Sequence, residues 1–208
     1  MLLVTDRQRF GAPDGDEIFA AAEWQVLQAA EHAGVGAIQL REKGLDGRRV
    51  FERARRLVEL CAGGTTRVLV NDRADIARAA NAAGVHLPGA GLAVENARSV
   101  VGPGALIGRS VHGREEIAAS AGADYLIFGP IFETPSKQRY GAPQGLERLA
   151  EFSRASDVPV VAIGGITVER VGDVLACGAC GVAVMGAILS SDNPSGSVRA
   201  FKEALASR

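Results

Sequence analysis

Charged and polar side chains follow several short apolar runs in this sequence, and the clearest group could bind phosphate. In the segment QLREK, alternation along an extended chain puts Gln39, Arg41 and Lys43 on one side. An arginine can bind a phosphate group through two parallel hydrogen bonds, and a lysine adds a point charge. We therefore expect these three side chains to converge on one anionic ligand. In the alternative, Arg41 forms an ion pair with Glu42 or Asp6 at the rim.

A second candidate phosphate site is the stretch VPVVAIGGIT. Its apolar run ends in Gly164 and Gly165, where the backbone can come close to an anion. Thr167 can cap the following helix, whose first free N–H groups would point at that anion. Met185 and Gly186 end a later apolar run, so a second glycine loop would lie beside the first. The alternative for the glycine pair is a tight turn that holds no ligand.

Other side chains could carry acid–base or metal chemistry. Asp72 is a candidate ligand for Mg2+, which prefers carboxylate and phosphate oxygens, but it could equally cap the next helix. His112 is the candidate acid or base, because histidine titrates near neutral pH; a solvated rim histidine is the alternative. His86 lies inside an apolar run, which favours a packed core histidine. Lys137 lies in the aperiodic segment 129–145, which we interpret as a lid over a charged ligand.

The elements that must position these residues alternate strictly along the chain. Eight short apolar runs are each followed by a segment with helical spacing. This pattern predicts an α/β fold, a single (β/α)8 TIM-barrel domain over residues 1–208, with its active site at the carboxyl ends of the strands. The predicted strands are 2–5, 37–40, 67–70, 85–87, 106–108, 124–128, 158–163 and 181–185, and the predicted helices are 16–33, 50–61, 71–83, 94–101, 114–121, 145–155, 168–175 and 195–206.

Composition argues against several classes of partner. Of the 208 residues 47% are apolar, and 23 basic and 24 acidic residues give a net charge of -1. No basic run is present, so we expect no nucleic-acid partner. No apolar segment is long enough to span a bilayer and the start, MLLVTDRQRF, is unlike a signal peptide, so we expect a cytoplasmic protein with no membrane partner. Association into a homo-oligomer stays open.

These strand ends, in this order, resemble the thiamine phosphate synthase/TenI family. The resemblance covers nearly the whole chain. It implies a TIM barrel, thiazole phosphate or pyrimidine diphosphate ligands, and a role in thiamin biosynthesis. The segments that carry it are LLVTD, QLREK, VNDRADIA, GVHL, IGRSVH, DYLIFGPIFETPSK, VPVVAIGGIT and GVAVMGAI.

One branch of the family, the synthases, joins a pyrimidine diphosphate to a thiazole phosphate with the help of Mg2+. The resemblance implies that Asp72 would bind Mg2+, usually together with the aspartate of an HLGQ-x-D motif. Here that stretch reads HLPGAGL, and Gly91, which has no carboxylate, takes the place of the aspartate. By resemblance, the pyrimidine diphosphate would be held by Gln39, Arg41, Lys43, Asn71, Ser110 and Lys137, and the thiazole phosphate by Thr134, Gly165, Met185 and Gly186.

The other branch, the TenI-type thiazole tautomerases, aromatises a thiazole carboxylate phosphate by moving a proton, without a cofactor. HLP, GRSVH and FGPIFET resemble this branch. Its histidine is replaced here by Pro130, which has no ionisable group, so His112 would act as the base. We favour the tautomerase, because a lost metal ligand is harder to replace than one base; the synthase and a non-catalytic thiazole or thiamin phosphate binder are the alternatives. The predicted catalytic residues are His112, Lys137 and Arg41, with Ser136 among the substrate-binding residues and Gly164 among the phosphate-binding ones.

Overall fold

Eight parallel strands close into a barrel in the computed structural model, which describes residues 1–11, 17–134 and 142–207. Each strand pairs with the next along the chain, and the first pairs with the last, with Leu2 opposite Ala183. The chain is therefore the single-domain (β/α)8 barrel that the sequence predicts. The strands are β1 (Leu2–Val4), β2 (Ala37–Leu40), β3 (Arg67–Asn71), β4 (Gly84–Leu87), β5 (Leu106–Val111), β6 (Tyr125–Phe128), β7 (Val160–Ile163) and β8 (Gly181–Val184).

Helices connect the strands and cover the outside of the barrel. Within the described ranges the α-helices are α1 (Ala21–His32), α2 (Gly47–Cys61), α3 (Ala74–Ala79), α4 (Val94–Val101), α5 (Gly145–Ala155), α6 (Val171–Ala176), α7 (Gly186–Leu189) and α8 (Pro194–Ala206). In α2, an apolar face with Val50, Ala54 and Leu57 is buried. The Asp46 side chain caps its start by accepting the N–H of Arg49 at 3.0 Å. No helix in these ranges has the length and apolar character to cross a bilayer.

Side chains alternate along each strand between the barrel interior and the layer beneath the helices. An apolar cluster in the interior is formed by Leu2, Val4, Leu69, Ile127 and Ala183. At the carboxyl ends of β2 to β5, by contrast, polar side chains line the interior: Gln39, Asn71, His86 and Ser110. The barrel interior is therefore polar at the carboxyl ends of these strands and apolar further down.

Some predicted elements differ from the structure. The segment 114–121 forms two 3-10 turns of three residues each rather than an α-helix. There the Ser120 hydroxyl donates to the Glu116 carbonyl at 2.8 Å, a local bond of the kind that competes with regular helix. β5 continues to Val111, so Ser110 lies within the strand instead of after it. Bounds also differ for α1, which begins at Ala21, and for β7, which begins at Val160.

Candidate active site

A cavity of about 820 Å³ opens at the carboxyl ends of the strands. It brings together seven of the residues predicted from the sequence: Gln39, Arg41, Lys43, Asn71, Ser110, His112 and Met185. His86 also lines it, with Arg7 and Gln8 from the segment after β1. Of the other predicted residues, Asp72, Thr134, Gly164, Gly165 and Gly186 lie outside the lining, whereas Ser136 and Lys137 lie outside the described residues.

The two cations of the QLREK segment, Arg41 and Lys43, both line this cavity. Across residues 1–11, 17–134 and 142–207, no carboxylate pairs with Arg41 or Lys43. The alternative pairing of Arg41 does not form, because Asp6 and Glu42 pair with other arginines. The N–H of Arg41 donates to Thr5 Oγ1 at 2.9 Å, which holds the backbone of the segment against β1. Both positive charges are therefore available to a ligand.

Behind this segment lies a buried ionic group, the Arg53 cluster, which consists of Arg53, Glu23, Glu42 and Arg7. Arg53 projects from the buried face of α2 and donates to Glu42 Oε1 at 3.0 Å and to Glu23 Oε1 at 2.5 Å. Arg7 Nε lies 3.4 Å from Glu42 Oε2, and Arg7 Nη2 donates to the Lys43 carbonyl at 3.2 Å. The cluster therefore anchors the QLREK segment to α2 and to the chain after β1.

The Glu42 carboxyl in this cluster should make stability depend on pH. Burial raises its pKa from 4.5 to about 7, although the nearby Arg53 charge acts in the opposite direction. Between these pH values the folded chain keeps a proton that the unfolded chain releases, so the free energy of unfolding should fall as the pH rises through this window. The expected fall is on the order of 3 kcal/mol, since one pKa unit corresponds to about 1.36 kcal/mol.

Urea unfolding at about pH 5 and about pH 8 checks this prediction. Glu42→Gln, which cannot titrate, should lose most of the difference between the two pH values. An equal difference in both proteins would remove Glu42 as its source.

Neutral polar side chains form the floor of the cavity. Gln39 Nε2 donates to Asn71 Oδ1 at 2.9 Å, and Gln39 Oε1 is buried with no partner among the described residues. A bound ligand could satisfy that acceptor. His86 is buried as expected of a packed histidine, and its Nε2 lies 2.8 Å from Ser110 Oγ. Burial lowers the pKa of His86 to about 3, so its ring is neutral in the folded protein.

His112 lies at the exposed mouth of the cavity and is held in a defined orientation. Its Nδ1 lies 3.2 Å from the carbonyl oxygen of Gly129. A carbonyl can only accept, so Nδ1 carries the hydrogen in this bond and Nε2 of the neutral ring can accept a proton. The backbone N–H of His112 donates to Glu116 Oε1 at 2.9 Å. The geometry therefore suits a base, as the sequence predicts for this residue.

The glycine pair after β7 allows close packing against the segment that follows β6. Gly164 and Gly165 have φ values of +101° and +64°, and a Cβ at Gly164 would lie 2.5 Å from the Pro130 Cβ. A Cβ at Gly165 would lie 2.5 Å from the Glu133 carbonyl oxygen. Thr167 precedes a 3-10 turn but its side chain makes no capping hydrogen bond. The N–H of Gly165 donates to no described residue, so it stays available to an anion.

The end of β8 offers further donors. α7 starts at Gly186, and the N–H groups of Gly186 and Ala187 have no acceptor in the described part of the chain. Arg9 lies beside this turn: its Nη1 donates to Ser190 Oγ at 3.0 Å, and a Cβ at Gly186 would lie 3.5 Å from its Nη2. The backbone N–H groups of Gly186 and Ala187 and the guanidinium of Arg9 could therefore all bind an anion at the first turn of α7.

Asp72 is the one predicted metal ligand, and the residues around it suit Mg2+ only in part. Asp72 is exposed, adopts a left-handed φ of +66° and forms no capping hydrogen bond with α3. Gly91 closes a turn by donating its N–H to the Pro88 carbonyl at 2.9 Å, and a Cβ at Gly91 would lie 2.8 Å from Pro88 Cδ, so no carboxylate fits there. No described group of three histidine, cysteine or acidic residues could hold a metal. Asp72 therefore fits Mg2+ as a single carboxylate that acts together with substrate phosphate oxygens.

The described parts of the segment 129–145 pack onto the barrel. The N–H of Ile131 donates to the Ile163 carbonyl at 2.9 Å, and the N–H of Gln144 donates to the Pro130 carbonyl at 2.7 Å. Both ends of the segment are thus fixed at the carboxyl end of β7. The lid that we expect from the sequence falls mainly on residues 135–141, which lie outside the described residues.

Several residues near the cavity, among them Arg7, Gln8, Arg9 and Tyr125, were not predicted from the sequence. Arg7 and Arg9 follow Asp6 at the end of β1, and extending the search for charges a few residues past each strand would have found them. A search of this kind would not have found Tyr125, which is uncharged and whose hydroxyl bonds to His86, 39 residues earlier in the chain.

Comparison with known proteins agrees with this architecture. A sequence profile of the TMP-TENI family, described as thiamine monophosphate synthase, matches residues 2–188. The thiamine-phosphate synthase of Methanoculleus marisnigri is 42% identical over 87% of this chain and 87% of its own, and that of Haloarcula marismortui is 40% identical over 87% and 88%. The solved structure of thiamine phosphate pyrophosphorylase from Pyrococcus furiosus superposes with a TM-score of 0.83 at 30% identity, over 98% of this chain and 94% of its own. This chain therefore belongs to the thiamine monophosphate synthase family.

Proposed function

We propose that the chain is a thiamine phosphate synthase. In this reaction the bond between the methylene carbon of a pyrimidine diphosphate and its diphosphate oxygen breaks. The ring nitrogen of a thiazole phosphate bonds to that carbon, and diphosphate leaves. The names of the relatives support this activity over the tautomerase that the sequence alone favours.

One observation carries the proposal: two cations, which pair with no carboxylate among the described residues, line the same cavity as a set of neutral polar side chains. Arg41 and Lys43 would neutralise the diphosphate and stabilise it as it departs. Gln39, Asn71 and Ser110 would form hydrogen bonds with the pyrimidine ring. This separation of charge suits a substrate with a neutral ring at one end and a diphosphate at the other.

The loops after β7 and β8 would hold the thiazole phosphate. In barrels of this fold these loops are a frequent phosphate site. The N–H groups of Gly165 and Gly186, which donate to none of the residues that the structure describes, are suitable donors, and Arg9 adds a positive charge beside α7. Two anion sites within one barrel mouth would bring the two substrates together for transfer of the pyrimidine.

The direct test is to incubate the protein with pyrimidine diphosphate and thiazole phosphate, with and without Mg2+, and to separate the products by chromatography. We expect thiamine phosphate and diphosphate in equal amounts, formed only with Mg2+. Absence of product with both substrates and Mg2+ would contradict the proposal. Binding of both substrates without turnover would instead support the non-catalytic binder.

Asp72 would hold Mg2+, which would neutralise charge on the departing diphosphate. Asp72→Asn should raise the Mg2+ concentration needed for half-maximal rate by about tenfold or more, because asparagine tolerates the left-handed backbone but lacks the charge. Asp75→Asn is the matched control, since Asp75 is exposed and pairs with Arg73 at 2.6 Å. Calorimetric titration of Mg2+ in the presence of diphosphate gives a second readout. An unchanged Mg2+ requirement in Asp72→Asn would assign the metal to the diphosphate alone.

The orientation of His112 supports thiazole tautomerase as a second candidate function. Its Nε2 has no hydrogen-bond partner among the described residues while Nδ1 is held by the Gly129 carbonyl, as a proton acceptor requires. Offering the thiazole carboxylate phosphate tautomer, without metal, tests this activity by the appearance of the aromatic product. His112→Asn should abolish the turnover; turnover that survives this substitution would exclude His112 as the base.

A further inference from the structure

Three side chains from neighbouring strands form a hydrogen-bonded chain beneath the cavity, the Tyr125 relay: Tyr125, His86 and Ser110. The Tyr125 hydroxyl on β6 lies 3.2 Å from His86 Nδ1 on β4. His86 Nε2 lies 2.8 Å from Ser110 Oγ on β5. His86 and Ser110 line the cavity, whereas Tyr125 does not. Tyr125 can therefore influence a bound ligand only through these neighbours.

A glycine in the barrel wall makes room for this arrangement. Gly108 is opposite Tyr125 in the pairing of β5 with β6, and a Cβ at this position would overlap the tyrosine ring. The ring therefore occupies interior space that a side chain at residue 108 would fill. From there its hydroxyl reaches past β5 to β4.

Burial determines the direction of the two hydrogen bonds. His86 is 1% exposed and lies between two hydroxyl groups, and a protonated ring, which donates from both nitrogens, would leave the Tyr125 hydrogen without an acceptor among the described residues. The ring is therefore neutral, with one N–H and one acceptor nitrogen. Burial also raises the pKa of Tyr125, so its hydroxyl keeps its hydrogen. If Nδ1 carried the ring hydrogen, the Tyr125 hydrogen would have no acceptor among the described residues, which is unfavourable. Tyr125 therefore donates to Nδ1, and Nε2 donates to Ser110.

We propose that Tyr125 is a positioning residue that, through His86, fixes Ser110 as a hydrogen-bond donor to the ligand. Because Nε2–H points at Ser110 Oγ, the hydroxyl hydrogen is left to face the cavity. Ser110 then selects a ligand with an acceptor atom at that place, such as an unprotonated ring nitrogen, over one with an N–H group. The relay itself stands on this geometry; naming pyrimidine diphosphate as its ligand rests on the proposed function.

The direction of the relay can be measured without any activity, from the 15N NMR shifts of the histidine rings, which differ between protonated and unprotonated nitrogens. The chain has three histidines, so His86 is assigned by elimination with His32→Gln and His112→Gln, both at exposed positions. We expect hydrogen on Nε2 of His86, unchanged between about pH 5.5 and 8.5. In Tyr125→Phe the population with hydrogen on Nδ1 should increase about fivefold or more, because the bond that opposes it is lost. Hydrogen on Nδ1 in the unmodified protein, or an unchanged tautomer in Tyr125→Phe, overturns the proposal.

Kinetics test whether Tyr125 acts through Ser110. Tyr125→Phe should raise KM for pyrimidine diphosphate about threefold with little change in kcat, because only part of the protein then presents Ser110 as a donor. In a Ser110→Ala background the same substitution should have no further effect. An equal rise in KM in both backgrounds would indicate a structural role and overturn the proposal. If the unmodified protein forms no thiamine phosphate, the proposed function fails, and the NMR result still decides the relay.

Discussion

Arg41→Met should lower kcat/KM for pyrimidine diphosphate by about 100- to 1,000-fold, the loss that follows removal of one donor to a developing negative charge. Arg41 lines the cavity and no described carboxylate competes for its guanidinium. Methionine retains much of the length of the side chain but removes its charge and all five donors. Steady-state kinetics with thiazole phosphate at saturation measure the effect.

Two further variants make this result specific. Arg55→Met removes an arginine that is exposed on α2 and pairs with Glu59 at 2.8 Å, so kcat/KM should change by less than about twofold. Arg41→Lys keeps the charge without the two-pronged geometry and should give an intermediate loss. Full activity in Arg41→Met would show that this segment does not bind the diphosphate.

Arg53→Met should lower the free energy of unfolding by about 3–5 kcal/mol, because it leaves the buried Glu23 carboxylate without its cation and Glu42 with Arg7 alone. The Glu23 and Glu42 side chains are 2% and 0% exposed, so water cannot replace the guanidinium. Urea unfolding at about pH 8, where Glu42 would carry a charge, measures the loss. The QLREK segment should also become less ordered, since Glu42 anchors it to α2.

The matched control lies on the same helix. Arg48 pairs with Glu52 at 2.9 Å but its side chain is 87% exposed, so Arg48→Met should leave the free energy of unfolding nearly unchanged. Adding Glu23→Leu and Glu42→Leu to Arg53→Met should recover much of the loss, because apolar residues then fill the same space. If Arg53→Met is no more destabilising than Arg48→Met, the Arg53 cluster does not stabilise the fold.

The barrel could be predicted because its signals are local. Each strand is a short apolar run, each pairs with its neighbours in sequence, and the alternation repeats eight times. The resemblance to the family, made on the strand ends, is confirmed by the profile match over residues 2–188. Gln39, Arg41 and Lys43 all line the same cavity, although only Gln39 lies within β2 and the other two follow its end, so strand alternation alone does not explain their placement.

Buried polar groups could not be predicted in the same way, because their partners are distant in sequence. Arg53 lies between Val50 and Leu57 on the apolar face of α2, and its partner Glu23 is 30 residues away. The sequence predicts that Ser110, a polar residue near the end of an apolar run, follows β5. It lies within the strand because the barrel interior at that level is polar and His86 bonds to it.

The turn at Pro88 has a consequence for how the metal site could change by mutation. A side chain at Gly91 would meet Pro88, so introducing an aspartate there as a first step would strain the turn before it could bind Mg2+. Replacing Pro88 first removes the two ring contacts, although the backbone carbonyl of residue 88 stays 3.1 Å from that Cβ. The two positions are therefore epistatic, and a second metal carboxylate at position 91 causes less strain when the change at Pro88 comes first.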